Sequence, residues 1–264
     1  MKLVMDIGNT NIKCALFDGD EPIRGWRLAT NRHKTSDEYG ILMHNFISHY
    51  GYTNEDIEGI IFSSVVPSIN FTIEHMIAEY FHIKPLQVLP GIRTGINIRY
   101  DSPRELGSDR ICNAVAVNTL YPGDTIFADF GTATSFGVMS KKGEFLGGAI
   151  CPGLKLSSEA LTERAAQLPK IELVRPATVI NRSTISNMQA GILYGYVGQV
   201  EYIVRKMKAE LGGGNIKVIA TGGMSRIIAN ETSIIDHIDG ELTLKGLNIL
   251  YERNKPMASV IEMV

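Results

Sequence analysis

The chain has 264 residues, 44% of them hydrophobic and 20% charged, and its formal net charge is −2. This length and composition predict a globular protein with ample core, made of one large domain or two ordinary ones. Because no basic tract accompanies the slightly acidic charge, we expect no nucleic-acid partner. No apolar run approaches the length of a bilayer span, so we expect no membrane partner either.

The first residues and the cysteines indicate a cytoplasmic protein. Met1 and Lys2 lead directly into a strand that ends at Asp6, which leaves no space for a signal peptide. The cysteines are three in number and show no CxxC spacing. We interpret them as buried apolar residues of a reducing compartment rather than as zinc ligands.

The predicted elements run in the order three strands, a helix, a strand and a helix, and this order occurs twice. In the first half, strands are expected at 2–6, 11–18 and 22–30, with a hairpin turn at Asp18-Gly19-Asp20. The elements expected after them are a helix over 36–50, a strand over 59–64, a helix over 68–81 and a strand over 86–89.

A helix over 108–120 is expected to lead into the second half. The elements expected after it are strands at 124–129, 134–140 and 144–151, helices at about 154–166 and 185–211, a strand at 216–220, a helix from about 224 and a helix over 242–253. This repetition predicts an α/β fold with mixed sheets. We place the domains at 1–115 and 116–254, followed by a weakly patterned tail, 255–264, that we expect to be disordered.

One short pattern occurs in both halves of the chain. Each copy is an apolar strand followed by Asp, an apolar residue, Gly and a group of small hydroxyl or amide side chains. The copies are Asp6-Ile7-Gly8-Asn9-Thr10-Asn11 and Asp129-Phe130-Gly131-Thr132-Ala133-Thr134-Ser135.

The residue types in this pattern suit a nucleotide and its cation. An Asp at a strand end can hold a hydrated cation, and the Gly lets the backbone turn tightly beside a ligand. The N–H groups and small side chains that follow suit phosphate oxygens. A single copy is equally compatible with an ordinary β-turn, and the chain contains no GxxxxGK[ST] loop. Two copies favour a clamp that grips a nucleoside triphosphate from both sides.

A pair of glycines, Gly222 and Gly223, follows the strand 216–220 and precedes a helix. Bare backbone at this point would let an adenine ring and a ribose lie flat against the chain. Two glycines also occur in a plain connection between a strand and a helix that binds no ligand. The position of this pair after the second Asp-x-Gly copy is therefore what favours nucleotide binding.

The segment Gly107-Ser108-Asp109-Arg110 opens an amphipathic helix. A purely structural interpretation is complete, because Ser108 is a good helix N-cap and Asp109 complements the helix dipole. The same residues also suit phosphoryl transfer, in which an Asp accepts the proton of the attacking hydroxyl and an Arg binds phosphate.

The long helix over 185–211 carries three glycines, Gly191, Gly195 and Gly198, on one face. Glycine is costly inside a helix, so their presence indicates close backbone packing. The neighbour could be another part of this chain or the same helix of a second copy, and the sequence leaves both open.

The duplicated Asp-x-Gly loops resemble the ATP-binding folds of the actin, Hsp70 and sugar-kinase superfamily. Over nearly the whole chain up to Asn254, the motifs look like those of type III pantothenate kinase. Besides the two loops and the segment 107–110, the motifs that carry this resemblance are Gly147-Gly148-Ala149-Ile150-Cys151-Pro152-Gly153, Asn181-Arg182-Ser183-Thr184 and Gln189-Ala190-Gly191. The resemblance implies duplicated ribonuclease H-like (actin-like ATPase) domains with mixed five-stranded sheets flanked by helices.

The resemblance also implies an activity. Members of this family transfer the γ-phosphate of ATP to the primary hydroxyl of pantothenate and form 4'-phosphopantothenate, the first step of coenzyme A synthesis. They use Mg²⁺ and a monovalent cation, K⁺ or NH₄⁺, with ATP as co-substrate. They are homodimers in which the partner chain helps to close the pantothenate pocket.

Roles follow for individual residues of this chain by the same resemblance. Asp109 would be the catalytic proton acceptor, Asp129 would bind the monovalent cation, and Asp6 would act on Mg²⁺ through water. The residues expected to bind ATP are Asp6, Ile7, Gly8, Asn9, Thr10, Asn11, Ile12, Lys13, Thr132, Gly222 and Gly223. The residues expected to bind pantothenate are Tyr100, Gly107, Ser108, Asp109, Arg110 and Thr184.

Two other functions stay open at this point. The chain could phosphorylate another small hydroxylated or carboxylated substrate, or it could be an ATP-binding regulator without catalytic activity. The acidic net charge argues against direct DNA binding, and the intact Asp109-Arg110 pair argues against a purely regulatory role.

Overall fold

A computed structural model describes residues 1–255, which divide into two compact units. The first contains residues 1–120 and the chain from Leu242 onward, and the second contains Tyr121–Glu241. In chain order the strands are β1 (Lys2–Ile7), β2 (Asn11–Asp18), β3 (Glu21–Ala29), β4 (Gly59–Ser64), β5 (Leu86–Gln87), β6 (Asn97–Ile98), β7 (Thr125–Phe130), β8 (Ala133–Met139), β9 (Glu144–Pro152), β10 (Lys217–Thr221) and β11 (His237–Ile238). The helices are α1 (Ser36–His49), α2 (Asn70–Phe81), α3 (Ser108–Leu120), α4 (Leu154–Arg164), α5 (Thr184–Glu210), α6 (Ser225–Ala229) and α7 (Leu242–Asn254).

The first unit is built on a five-stranded sheet in the order β3-β2-β1-β4-β5. Strand β1 is antiparallel to β2 and parallel to β4, and all of its residues are buried. Alternate residues of a strand face opposite sides of the sheet. Leu3, Met5 and Ile7 pack in one core cluster with α1 and α2, so Asp6 faces the other side.

The final helix, α7, belongs to the first unit, whereas the boundaries drawn from the sequence place it in the second domain. It packs against α3 and β1. Gly246 makes this packing possible, because a Cβ atom at that position would collide with the backbone carbonyl of Cys112. Of the tail 255–264, residues 256–264 lie outside the described part of the chain.

The second unit repeats the same plan. Its five strands lie in the order β11-β10-β7-β8-β9, with β10 parallel to β7 and β7, β8 and β9 antiparallel in turn. The buried side of α5 covers one face of this sheet, where Leu193, Val197 and Val200 pack with Ala128 and Phe130. The predicted α/β fold with two mixed sheets flanked by helices is confirmed. Among the described residues, no helix is both long and apolar enough to cross a bilayer.

Candidate functional site

The first Asp-x-Gly copy forms a tight hairpin between β1 and β2. The Gly8 amide donates to the carbonyl of Asn11 at 3.0 Å, and the side chains at the tip, Asn9, Thr10 and Asn11, are exposed. Thr30 holds the loop from the side, because its hydroxyl donates to the Gly8 carbonyl at 2.6 Å and its amide donates to the Thr10 carbonyl at 3.0 Å. The loop therefore presents N–H groups and small polar side chains from a braced backbone, which suits phosphate oxygens.

Asp6, at the carboxyl end of β1, is 8% exposed. The hydroxyl of Ser63 on β4 donates to its Oδ1 at 2.8 Å. Lys13 Nζ lies 3.7 Å from its Oδ2, which places a cation beside the phosphate loop. Among the described residues no three His, Cys, Asp or Glu side chains form a metal-binding group. One fixed carboxylate fits Mg²⁺ that keeps several waters and gains its other ligands from substrate phosphates.

The predicted catalytic segment opens α3. The structure begins this helix at Ser108, whose hydroxyl accepts from the Ser64 amide and donates to the Ser64 carbonyl, both at 3.1 Å. The side chain that the sequence assigns to a helix cap therefore joins α3 to the end of β4. Asp109 folds back over Gly107, because a Cβ atom on Gly107 would lie 2.5 Å from Asp109 Oδ1.

Two predicted pantothenate residues meet beside this segment. Arg110 is 6% exposed, and its guanidinium carbon lies 5.7 Å from the centre of the Tyr100 ring. A guanidinium at this distance from an aromatic ring is attracted by its negative face. The contact holds the buried guanidinium of Arg110 against the ring of the half-buried Tyr100.

The charges of Asp6 and Asp109 both affect the pKa of one buried thiol, that of Cys112. Burial is the main cause that raises the pKa of this thiol well above its ordinary value, and the charges of Asp6 and Asp109 raise it further. Hydrogen bonding by Ser63 opposes that shift. The two predicted functional carboxylates, which are far apart in sequence, are both linked to the end of β4, Asp6 by the Ser63 hydroxyl and Asp109 through its neighbour Ser108. Sequence reasoning missed Ser63, Ser64 and Cys112 as parts of this site, since they read as ordinary strand and core residues.

The second Asp-x-Gly copy forms an exposed loop between β7 and β8. Gly131, Thr132 and Ala133 are exposed, while Asp129 is half-buried at the end of β7. The Gly131 amide donates to the Ala133 carbonyl at 3.1 Å, and the Gly153 amide donates to the Thr132 carbonyl at 3.1 Å. A side chain on Gly153 would collide with the backbone carbonyls of residues 131 and 132. The start of α4 therefore lies directly against this loop.

The glycine pair after β10 also lies at this edge of the second sheet. Thr221 pairs with Asp129 in parallel register, and the next residue, Gly222, has a φ of +89°. A Cβ atom on Gly222 would lie 2.5 Å from Asp129 Oδ1 and 2.6 Å from the Phe130 amide nitrogen. The structure thus brings Gly222 against Asp129, while Gly223 is exposed.

Thr184, the remaining predicted pantothenate residue, is the first residue of α5 and is exposed. It lines a groove of about 520 Å³ between α4 and α5. The other residues of this groove are Leu161, Leu168, Asn187, Met188, Gly191 and Ile192. The groove is thus mainly apolar, with polar side chains at Thr184 and Asn187.

Comparison with solved structures identifies the fold. A protein described as a Baf family transcriptional activator from Campylobacter jejuni superposes with a TM-score of 0.60 at 18% identity, covering 96% of this chain and 99% of that one. Component A of the (R)-2-hydroxyglutaryl-CoA dehydratase of Acidaminococcus fermentans gives 0.56 at 15% identity, with 97% and 98% covered. The ethanolamine utilization protein EutJ from Carboxydothermus hydrogenoformans gives 0.53 at 13%, with 94% and 89% covered. These identities are low enough that the likeness concerns the fold alone.

A match to the sequence identifies the family of this chain. The model of the type III pantothenate kinase family matches residues 2–206. That stretch contains both Asp-x-Gly loops, the start of α3 and the first turns of α5. The chain therefore belongs to the type III pantothenate kinase family and is a kinase.

Proposed function

We propose that this protein transfers the γ-phosphate of ATP to the primary hydroxyl of pantothenate and forms 4'-phosphopantothenate, the first step of coenzyme A synthesis. The family match supports an ATP-using pantothenate kinase. The observation that carries the assignment of residues is the end of β4, where Ser63 donates to Asp6 Oδ1 at 2.8 Å and the backbone of Ser64 bonds the Ser108 hydroxyl at 3.1 Å, one residue before Asp109. It joins a phosphate-loop carboxylate and a candidate base within one unit.

The proposed reaction follows from the chemistry of these side chains. The pantothenate oxygen attacks the γ-phosphorus, the bond from that phosphorus to the β–γ bridging oxygen breaks, and ADP leaves. Asp109 accepts the proton of the attacking hydroxyl, as an Asp does in kinases generally. Arg110 supplies positive charge close to the base, and Tyr100, Gly107, Ser108 and Thr184 complete the pantothenate contacts.

Nucleotide binding is assigned to both Asp-x-Gly loops. Residues 6–13 would hold the phosphates, with Asp6 holding Mg²⁺ through water, and Thr132, Gly222 and Gly223 would contact the nucleotide. Bound Mg²⁺ would neutralise charge on the phosphates. The exposed N–H groups of the hairpin, the Lys13 ammonium and the bare backbone at Gly223 support this assignment.

Replacing Asp109 by Asn tests the base. Turnover is expected to fall by about 10²–10⁴-fold, which is the usual contribution of a general base. ATP affinity, measured by calorimetry, is expected to persist. Asp37→Asn is the matched control, because Ser36 and Asp37 open α1 as Ser108 and Asp109 open α3. If Asp109→Asn lost only the small amount of stability seen in Asp37→Asn and kept its activity, Asp109 would be a structural cap.

A substrate panel with ATP, Mg²⁺ and K⁺ tests the choice of acceptor. Pantothenate is expected to give the phosphorylated product by mass spectrometry. Failure of pantothenate in a preparation that phosphorylates another small alcohol would assign the chain to that alcohol instead.

We also propose that Asp129 binds a monovalent cation, K⁺ or NH₄⁺. Its carboxylate is half-buried at the end of β7, and Oδ1 lies against the backbone of Gly222, beside the loop that carries the exposed Thr132. Exchange of K⁺ for Na⁺ should reduce wild-type activity, and Asp129→Asn should remove that difference. Equal rates of the wild type in both salts would contradict the assignment.

A homodimer with a shared site is the proposed assembly. Gly191, Gly195 and Gly198 are exposed on α5, and a methyl group at each would meet no atom of the described residues within 4 Å. The space beside these glycines among the described residues supports a second copy as the neighbour. Gly195→Leu should shift the protein from dimer to monomer in light scattering. A dimer that survives this change would exclude a close interface between α5 helices.

The proposed location is the cytoplasm. ATP as co-substrate and the free thiols of Cys14, Cys112 and Cys151 support it. Cell fractionation with antibody detection is the measurement, and recovery in a secreted fraction would contradict it.

A further inference from the structure

The last two residues of β4, Ser63 and Ser64, lie beside the last two residues of β1. Ser63 is in register with Asp6, and Ser64 is in register with Ile7, on parallel strands. Neighbours in register place their side chains on the same face of a sheet. Because of this pairing, the Ser63 hydroxyl meets the Asp6 carboxylate directly.

The contact between Ser63 and Asp6 is short and shielded from water. Ser63 is 0% exposed, and its Oγ donates to Asp6 Oδ1 at 2.8 Å. A hydrogen bond to a charged acceptor is about twice as strong as one between neutral groups, and low dielectric strengthens it further. The bond therefore fixes the rotation of the Asp6 carboxylate about its Cβ–Cγ bond.

The other carboxylate oxygen faces Lys13, which lies opposite Asp6 on β2. Asp6 Oδ2 lies 3.7 Å from Lys13 Nζ, on the strand that leaves the loop. The Ser63 hydroxyl on Oδ1 and the Lys13 ammonium on the side of Oδ2 together fix the orientation of the carboxylate. Carboxylates that bind metals are commonly oriented in this way by a hydrogen bond from behind.

The neighbouring residue connects the same strand end to the candidate base. The backbone amide and carbonyl of Ser64 both bond the Ser108 hydroxyl at 3.1 Å, one residue before Asp109. The end of β4 thus contacts both functional segments of the first unit.

We infer that Ser63 is a positioning residue that orients Asp6 for hydrated Mg²⁺, and that the adjoining Ser64 backbone holds the start of α3 in place. This inference rests on the proposed role of Asp6 in ATP binding. A merely structural role for Ser63 would contribute stability alone, without any effect on the Mg²⁺ requirement.

Ser63→Ala is the principal test, read out by the Mg²⁺ concentration that half-saturates ATP binding in calorimetry without pantothenate. This midpoint is expected to rise by about 10–100-fold, the usual effect of removing such a supporting contact. Ser63→Cys keeps a weak donor at the same position on a somewhat larger atom, so its midpoint should lie between those of Ser and Ala. The ordering of the three midpoints is a result that loss of stability does not produce.

Thr243→Val is the matched control. Thr243 is 2% exposed and donates to Asn113 Oδ1 at 2.8 Å, so it loses a buried hydroxyl bond of the same length in the same unit. Its melting temperature should fall, whereas its Mg²⁺ midpoint should equal that of the wild type.

Asp6→Asn separates the two ways in which the inference could fail. If Asp6→Asn loses Mg²⁺-dependent ATP binding while Ser63→Ala keeps the wild-type midpoint, Ser63 has no positioning role and the role of Asp6 stands. If Asp6→Asn binds Mg²⁺ and ATP like the wild type, the proposed role of Asp6 is wrong and the inference about Ser63 falls with it. A rise of the midpoint in Thr243→Val equal to that in Ser63→Ala would also overturn the inference.

Discussion

Cys112 lies where β1, β4 and α3 meet, and its thiol is affected by the charges of Asp6 and Asp109. A neutral thiol is compatible with two neighbouring carboxylates, whereas a thiolate would add a third negative charge without solvent to screen it. The raised pKa keeps this side chain uncharged at the pH at which the enzyme would work. At the scale of single residues, the site thus combines two carboxylates with a buried cysteine that stays uncharged.

This arrangement predicts a loss of stability in alkali. The pKa values of Cys112 and Cys14 are raised in the folded state, chiefly by burial. Their contribution to stability is therefore fully present below the pKa of the unfolded thiol and is lost as pH rises from there towards the folded pKa. The free energy of unfolding should fall by up to about 1.4 kcal/mol per thiol for each pH unit above about 9.

Urea unfolding at pH 8 and pH 10 measures this effect. Cys112→Ala should flatten the pH dependence clearly, because the pKa of this thiol is raised well above its ordinary value. Cys151→Ala should flatten it less, since Cys151 is only half-buried and burial alone raises the pKa of its thiol. If Cys112→Ala and the wild type lost the same free energy between the two pH values, another group would be responsible.

At the scale of elements, both Asp-x-Gly loops are strand ends braced by a neighbouring strand or helix. Asp6 is braced by β4, and Asp129 lies against the turn that follows β10. In each case a parallel strand ends beside the Asp and supplies the contact. The parallel pairing matters because it brings two carboxyl strand ends to the same edge of a sheet.

The turn after β10 provides a prediction with an internal control. Gly222→Ala should destabilise the protein by at least about 1–2 kcal/mol, the cost of a left-handed backbone for an ordinary residue, before any clash with Asp129 is counted. It should also weaken ATP and K⁺ binding, because the new Cβ would displace the Asp129 carboxylate.

Gly223→Ala is the control for that change. Its backbone is not in the left-handed region, and a Cβ atom there would meet nothing within 4 Å. Thermal denaturation should therefore show a melting temperature near that of the wild type. Equal destabilisation by both substitutions would show that the close approach of Gly222 to Asp129 does not cause the loss of stability.

At the scale of the whole molecule, the first unit is assembled from the two ends of the described chain. Leu242, Leu247 and Leu250 of α7 are completely buried. Lys2, at the start of β1, donates to a carboxylate oxygen of Glu252 at 2.6 Å. The first unit is thus incomplete until α7 has been synthesised.

Removal of α7 should consequently unfold the first unit. A chain that ends at Glu241 lacks the helix that packs against α3 and β1, so apolar surface of both would be exposed. Limited proteolysis should cut it rapidly within residues 1–120, and ATP binding should be lost. A chain that ends at Lys255 keeps all of α7 and is the control. Protection of residues 1–120 in the shorter chain would contradict the prediction.

The local features of this protein could be predicted from the sequence, because they depend on near neighbours in the chain. The continuous apolar run Leu3-Val4-Met5 marks β1, and Asp18-Gly19-Asp20 marks the hairpin between β2 and β3. The two-residue strand β5 lies within the strand predicted at 86–89, whereas β6 and β11 have no predicted counterpart, because two residues rarely show a recognisable strand pattern. The family was also evident from short motifs, whose residues are contiguous.

Only the tertiary structure decided which distant residues meet. The parallel register of β1 and β4 brings Ser63 to Asp6, and the contact of Gly246 with Cys112 places α7 in the first unit. No local pattern specifies these contacts, because they arise from hydrogen-bond register and close packing between segments that are far apart in the sequence. The sequence by itself therefore determined the loops and the chemistry they carry, whereas long-range packing determined what holds their carboxylates in place.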